Sequence, residues 1–406
     1  MARVETIPEL YDTTIWKFKA EGNANITLSY VGENARFSAT VLRLRKDNQL
    51  DTIIDSCSYV NSVMKPLLGD EYVGESILLE IRPEFLKALS KSILKMRSNN
   101  RTQKDIDHNQ KYALLMSDHT MFPSNISPTL SVELKYLKQG HITRYCPLDL
   151  FSLEDKRIRK AIDALIDCPR NNLKLFIQGM QIKIGKENWP TSLCKFFEVD
   201  YSELDDKKQQ YVIDMFIALL IQAIKEEQYL FRKLKTLQKT LDELDIEGIN
   251  KLLITYQPKL SELSLEEWKL IVDEYVKRTA TNNSNNENAR EFMSTMEYKQ
   301  IRQRIYEHLM SATLKDCSII FSFRKSDMRD VARQNSHSSP IFQNKERLQQ
   351  ISLSDNYLDR SYVYKVNVID LDPKPLAKLP YYQELDAKIV ENYLKCNATN
   401  NSKCSE

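Results

Sequence analysis

The stretch from Tyr362 to Tyr382, YVYKVNVIDLDPKPLAKLPYY, limits the fold of this 406-residue chain more than any other. Val363, Lys365 and Asn367 alternate against Tyr364, Val366 and Val368, the two-residue period of a strand. The strand runs into Asp370, and Pro373, Lys374, Pro375, Lys378 and Tyr382 follow. A solitary strand leaves its backbone N–H and C=O groups unpaired. This one lies near the C-terminus, so earlier parts of the chain must supply its neighbours. A carboxylate at a strand end, followed by spaced cations, suits a site where metal and phosphate meet.

Those earlier parts change character along the chain. Ile15 to Lys19, Ile26 to Val31 and Ala35 to Arg43 read as strands, and Arg82 to Arg97 as a helix with Pro83 in its first turn. Tyr112 to Met116 and Leu130 to Leu134 are short apolar strands with the loop Asp118-His119-Thr120-Met121-Phe122-Pro123 between them. From Ser152, a candidate N-cap for a helix through Leu165, the chain turns helical. Tyr201 to Leu244, Glu262 to Arg278 and Glu291 to Met310 are the later helices. Thr279 to Ala289 is a low-complexity linker, and Ser326 to Arg347 is polar and irregular. Cys317 to Phe323 and Tyr362 to Ile369 return to strand, and Ala387 to Lys395 is a last helix. The order is neither a βαβ alternation nor a bundle. It predicts an α+β protein with a smaller sheet lobe packed on a larger α-rich lobe, and ligands in the cleft between them.

Composition excludes several functions. The formal net charge is +2 with 28% charged residues, so bulk electrostatics imply no nucleic-acid or membrane-surface partner. Seven cysteines without a C-x-x-C pair read as reduced intracellular thiols. The N-terminus has no hydrophobic signal core, and the apolar run near Met215 to Ile224 is too short to span a bilayer. Asn-x-Ser/Thr matches such as those at Asn282 and Asn397 lie in Asn-rich stretches and are read as chance.

Four segments can carry chemistry. Gly22, Asn23, Ala24 and Asn25 form a small-residue turn between two strands, where backbone N–H groups can approach phosphate oxygens; an ordinary hairpin turn is the alternative. Arg43 on the next strand stands where a nucleotide kinase places a phosphate-pairing cation; a solvated edge face is the alternative. Asp118 and His119 follow an apolar strand and can form a hinge whose backbone reads a base, or a polar loop with a structural histidine. His108, His141, His308 and His337 show no metal-ligand spacing with His119 or with cysteine.

Asp316 precedes one late strand and Asp370 ends the other. If the two strands pair antiparallel, both carboxylates sit at one end of the pair. One can then orient or deprotonate a hydroxyl while the other holds Mg²⁺. Two strand-end turn residues are the alternative. Lys374, Lys378 and Tyr382 are spaced by four, which on a helix is one face, but Pro380 argues against a continuous helix there.

Taken in order, EGNANI, LRLRK, DHTMFP, SVELK, PLDLFS, NNLKLF, DCSIIF and YKVNVIDLDPKPLAKLPYY closely resemble the inositol pentakisphosphate 2-kinase family. The resemblance spans nearly the whole chain, with unmatched helical inserts between about 180 and 310. It implies a two-lobed, protein-kinase-like inositol polyphosphate kinase fold. Residues 1–125 would be a small β-rich, nucleotide-binding N-lobe, and 126–406 a larger α-rich C-lobe with the inositol phosphate and catalytic residues. The implied reaction is ATP- and Mg²⁺-dependent phosphorylation of the 2-hydroxyl of inositol 1,3,4,5,6-pentakisphosphate, giving phytate. By resemblance, Gly22 to Asn25 would cover the ATP phosphates, Arg43 and Lys174 would lie beside them, and Asp118 and His119 near the adenine. Asp316 would be catalytic, and Asp370 would bind Mg²⁺. Lys135, the first lysine of the family's E-[IL]-K-P-K motif, would be catalytic and substrate-binding. Arg97, Asn171, Lys374, Lys378 and Tyr382 would bind inositol phosphate. A soluble monomer in the nucleus or cytoplasm is the matching expectation.

The chain departs from the family pattern in three places. Glu133-Leu134-Lys135-Tyr136-Leu137 lacks the motif's second lysine, with Lys138 a substitute after a small shift. The segment before Pro147 is shorter than in plant members, and Arg144 is a candidate for a basic contact carried there. The Cys/His zinc site of plant members has no counterpart, since residues 175 to 315 contain only Cys194 and His308, so no structural zinc is expected.

Overall fold

The computed structural model describes residues 3–46, 53–122, 128–135, 144–185, 189–200, 205–256, 260–281, 297–326, 340–342, 347–354 and 359–396. Their strands form two six-stranded sheets. The first contains β1 (Arg3–Glu5), β2 (Trp16–Glu21), β3 (Asn25–Tyr30), β4 (Thr40–Arg45), β5 (Ser76–Glu80) and β6 (Tyr112–Ser117), in the order β1-β5-β6-β4-β3-β2. The second contains β7 (Thr129–Lys135), β8 (Leu173–Ile177), β9 (Met180–Ile182), β10 (Ser318–Lys325), β11 (Gln349–Ser354) and β12 (Asp359–Ile369), in the order β11-β12-β10-β7-β8-β9. The strand at Tyr362 thus finds its neighbours in residues far back along the chain.

Helices cover both sheets, and their ranges in chain order are as follows. α1 is Ile53–Tyr59, α2 Lys65–Leu68, α3 Pro83–Ile93, α4 Pro147–Leu150, α5 Asp155–Asp167 and α6 Trp189–Phe197. α7 is Asp206–Glu226, α8 Gln228–Thr240, α9 Asp245–Tyr256, α10 Leu265–Thr281, α11 Tyr298–Asp316 and α12 Leu379–Cys396. α3 buries Phe85, Leu86, Leu89 and Ile93, a helical spacing, in one core with Ile26, Leu28, Leu42 and Leu44 of the first sheet. A second, larger core joins the other sheet to α5 through α11.

The two cores exchange chain segments. Tyr59, Val63, Met64, Leu67, Leu68, Tyr72 and Val73 belong to the second core although they precede β5. Ile341 and Phe342 belong to the first core although they follow β10. Val368 of β12 also donates its N–H to the carbonyl of Tyr72 at 2.8 Å.

Several element boundaries differ from the sequence expectation. Ala35 to Phe37 is a 3₁₀ turn, and the strand begins only at Thr40. Ser152 does not cap α5: its hydroxyl bonds Asp149 O and Glu154 N in the preceding turn, and Glu154 takes the cap position. The long helix from Tyr201 is two helices, broken at Glu227, and residues 201–204 lie outside the described residues. The buried Glu227 carboxylate accepts from Tyr364 at 3.0 Å and Tyr72 at 3.2 Å, which fixes the break. α11 runs on to Asp316, which therefore ends a helix rather than opening a strand. Residues 282–289 of the linker, and most of 326–347, lie outside the described residues.

Candidate functional site

β7, β10 and β12 end at one level. Ser318 is paired across the sheet with Lys135 on one side and with Ile369 on the other. The antiparallel pairing of β10 with β12 puts Asp316 and Asp370 at the same end, as the two strand-end carboxylates require. After Ile369 the chain must reverse. It does so through Asp370 in the left-handed region, φ +62°, a conformation costing about 1–2 kcal/mol that aspartate tolerates better than most residues. The reversal turns the carboxylate back over the strand ends, where it accepts from Ser318 Oγ at 3.0 Å and lies 3.0 Å from Lys135 Nζ.

Each cation here meets a carboxylate. Lys135 Nζ is also 3.9 Å from Asp316 Oδ1. Lys374 pairs with Asp316 and Arg43 with Asp372. Lys174 donates to Glu133 at 2.8 Å, and Ser318 Oγ, 3.1 Å from the same glutamate oxygen, shares its one proton between Glu133 and Asp370. Crowding by protein pushes the Asp370 carboxyl up, but Lys135, with Arg43 and Lys174 behind it, brings it down to about 2. Burial lowers Lys135, and Asp370 and Asp316 more than reverse that. Asp370 nevertheless keeps 46% of its side chain exposed.

Asp316 sits at the negative end of the α11 dipole, an unfavourable place for a carboxylate. Lys135 and Lys374 offset that. Tyr382, in the first turns of α12, is pushed up to about 12 by burial and then by the nearby Asp316 charge. A 3₁₀ turn from Leu376 to Lys378 precedes α12, and Pro380 occupies the first turn. Lys374, Lys378 and Tyr382 therefore do not share one helix face. Lys374 still pairs with Asp316 and Tyr382 feels its charge, while Lys378 is exposed. Asn171 is exposed in the turn before β8, and the carbonyl of its neighbour Asn172 accepts from Lys135 N at 2.9 Å.

From the first sheet, the β2–β3 turn approaches the same place. Asn25 Nδ2 donates to Asp372 at 3.4 Å, beside the Arg43 pair. Asn23 accepts from Arg101 at 2.8 Å, and Ala24 O accepts from Lys46 N at 2.9 Å. Gly22 has an ordinary φ, and a Cβ there would meet only Asn25 O, at 3.9 Å. The fold itself does not demand glycine at 22.

Three expected site residues are engaged elsewhere. Arg97 is wholly buried. It holds Glu21 at 2.7 and 3.2 Å, Asp105 at 2.9 Å, and the carbonyl of Arg101 at 2.9 Å. The structure thus puts it beneath the β2–β3 turn, away from the Lys135 cluster. Asp118 is a buried ion-pair partner: Lys19 Nζ donates to it at 2.8 Å, to Thr120 at 2.8 Å and to Gly179 O at 3.1 Å. A bulge in β2 between Phe18 and Ala20 turns Lys19 toward this joint between the sheets. His119 is buried against Gly74, where a Cβ would lie 2.6 Å from the imidazole, and its carbonyl accepts from Ser322. Arg144 is exposed and pairs with Asp167 at 2.8 Å, and Lys138 lies outside the described residues.

Sequence reasoning missed Asp372, Glu133 and Ser318. Each had a signal. Asp372 and Glu133 stand two residues from Asp370 and Lys135, and Ser318 is the first residue of β10. The buried Oδ1 of Asp372 has no hydrogen-bond partner among the described residues. No group of three or more His, Cys, Asp or Glu among them forms an all-protein metal cage.

Carboxylates and spaced cations at converging strand ends, faced by a small-residue turn, define a phosphoryl-transfer class of site. The chain belongs to the inositol-pentakisphosphate 2-kinase family, whose model matches residues 18–136 and 136–388. It is 26% identical over 475 aligned residues to the inositol-pentakisphosphate 2-kinase of Arabidopsis thaliana, covering 96% of this chain and 95% of the relative. It is 24% identical to that of Danio rerio, covering 95% and 94%. With that of Cryptococcus neoformans it shares 23% identity, covering 94% and 93%.

Proposed function

We propose that this chain transfers the γ-phosphoryl group of ATP to the 2-hydroxyl of inositol 1,3,4,5,6-pentakisphosphate on a two-lobed, protein-kinase-like fold. Family membership gives the reaction class. The observation that carries the site assignment is the convergence of Lys135, Asp316, Asp370 and Lys374 at the ends of three paired strands.

The substrate is a polyanion, and the site stores its cations as carboxylate pairs. Exchanging a carboxylate for a phosphate keeps each cation neutralised, so the cations can be pre-positioned without substrate. Lys374 and Tyr382 beside Asp316 would hold the inositol phosphates, with Lys378 and Asn171 at the rim. Asp316 would accept the hydroxyl proton or orient the hydroxyl in line. Lys135, between Asp316 and Asp370, would balance charge where it develops. Arg43 and the Gly22 to Asn25 turn would face the nucleotide phosphates, with Lys174 behind.

The residues present fit magnesium. The half-exposed Asp370 and the unpartnered Oδ1 of Asp372 are hard oxygen donors, suited to an ion held by one or two carboxylates plus substrate phosphates. When bound, magnesium supplies charge neutralisation at the phosphate oxygens.

The test is turnover of a panel of defined inositol phosphates with ATP, with the product identified by NMR. Phosphorylation of the pentakisphosphate at the 2-hydroxyl is expected. Turnover of a different acceptor alone would make the protein a related small-molecule kinase. Binding without turnover would make it an inactive binding protein.

A further inference from the structure

α8 lies in the helical region to which the sequence gave no role, yet its C-terminal end grips the last turns of α11. Gln238, 4% exposed, donates its side-chain amide to the carbonyl of Leu314 at 2.9 Å, and its own carbonyl accepts from Ser311 at 2.9 Å. Asp242 just beyond α8 accepts from two residues two turns apart on one face of α11: His308, at 2.7 Å, and Lys315. Glu243 pairs with Arg304 at 2.7 Å. From the other side, Thr313 donates to the carbonyl of Asp372 at 3.3 Å.

A helix end needs such help. Its last four carbonyls have no intrahelical donor, so last turns fray. Here the final residue is Asp316, whose charge opposes the helix dipole. Gln238 satisfies one of the orphan carbonyls two residues before Asp316, and the Asp242–Lys315 pair anchors the residue immediately before it.

We infer that Gln238, Asp242 and Lys315 are positioning residues: they lock the C-terminal turn of α11 and so fix the Asp316 carboxylate for phosphoryl transfer. This rests on the proposed reading that Asp316 meets the acceptor hydroxyl. Misplacing a reacting group by about 1 Å costs roughly 10²-fold in rate.

The experiment compares Gln238→Met, Lys315→Met, Asp316→Ala and Arg302→Met in the full chain. Arg302 pairs with Glu267 at the opposite end of α11 and serves as the control for general weakening of that helix. Steady-state kinetics are measured with ATP and the pentakisphosphate, and folding is followed by circular dichroism melting. The expected result is a roughly ten- to hundred-fold fall in kcat for Gln238→Met and Lys315→Met. Their KM values stay within about threefold, and Arg302→Met keeps wild-type kcat. Should Gln238→Met fail to fold, the partly exposed Lys315 decides the matter. If Asp316→Ala is inactive while Lys315→Met keeps wild-type kcat, the positioning role is wrong and the catalytic reading stands. If Asp316→Ala stays active, the catalytic reading itself fails. A loss of kcat in Arg302→Met equal to that in Lys315→Met would reduce the effect to helix stability and overturn the inference.

Discussion

Lys135 Nζ lies 3.0 Å from Asp370 Oδ2, and the two residues come from strands that never touch, β10 standing between β7 and β12. The common register of all three strands at Ser318 brings them within reach. Strand ends rather than long loops hold the proposed site groups through backbone hydrogen bonds, which would favour in-line transfer.

Replacing Asp316 with alanine should lower phosphoryl transfer by about 10²- to 10⁴-fold, the usual weight of a general base. ATP binding should stay nearly unchanged, because Arg43 and the β2–β3 turn are untouched. Calorimetric titration with a non-hydrolysable ATP analogue, alongside single-turnover rates, checks both halves.

Lys374→Ala should raise KM for the pentakisphosphate more than KM for ATP. The side chain pairs with Asp316 at the acceptor side of the site, so its loss removes a phosphate contact there. Equal changes in the two constants would give Lys374 a structural role.

Arg97→Met should act first on stability. The buried guanidinium neutralises Glu21 and Asp105, and removing one partner of a buried pair costs about 3–5 kcal/mol. Lys46, 2.5 Å from Glu21, holds the loss toward the lower figure. Urea midpoints and the two KM values together distinguish this from direct inositol phosphate binding, which would raise the acceptor KM without shifting the midpoint.

Gly22→Val should leave the melting temperature nearly unchanged, since φ is ordinary and the space around it is open. It should raise KM for ATP by roughly tenfold or more if nucleotide phosphates approach that backbone. A variant with wild-type kinetics would return the turn to an ordinary hairpin.

Burial pushes the Asp242 carboxyl up, but His308 and Lys315 outweigh it and bring the group down to about 2. Its folded pKa thus lies below the unfolded value of about 3.9. The contribution, about 2.5 kcal/mol, is complete above about pH 5 and is lost as pH falls through about 2. Wild type should exceed Asp242→Asn by about that amount at pH 7 in urea unfolding, and the gap should narrow below about pH 5.

The chemistry-bearing segments were legible because each is local. Lys135 closes one alternating apolar strand, Asp370 closes another, and Asp316 stands immediately before a third. The antiparallel pairing of the last two entered only as the condition that would unite their carboxylates, and the sheet meets it. Partners across the chain were not. Nothing in the local pattern shows that Glu21 and Asp105 enclose Arg97, that Lys19 claims Asp118, or that Asp372 meets Arg43. Apart from Arg97–Asp105, which closes a short loop, each of those pairs forms between elements far apart in sequence, where periodicity carries no information.

By itself, the sequence determined a mixed α+β protein, part of its series of strands and helices, and a set of motifs that place it in one kinase family; β1, β5, β8, β9 and β11 were not read from it. Backbone propensity and hydrophobic period act over a few residues, and so they survive in the linear text. Tertiary structure alone decided that residues 59–73 complete the second core, that Asp316 ends a helix clamped by α8, and that Arg43, Lys135, Lys174 and Lys374 rest on carboxylates. Those outcomes depend on burying apolar surface and pairing charge between distant segments, energies that exist only once the chain has closed on itself.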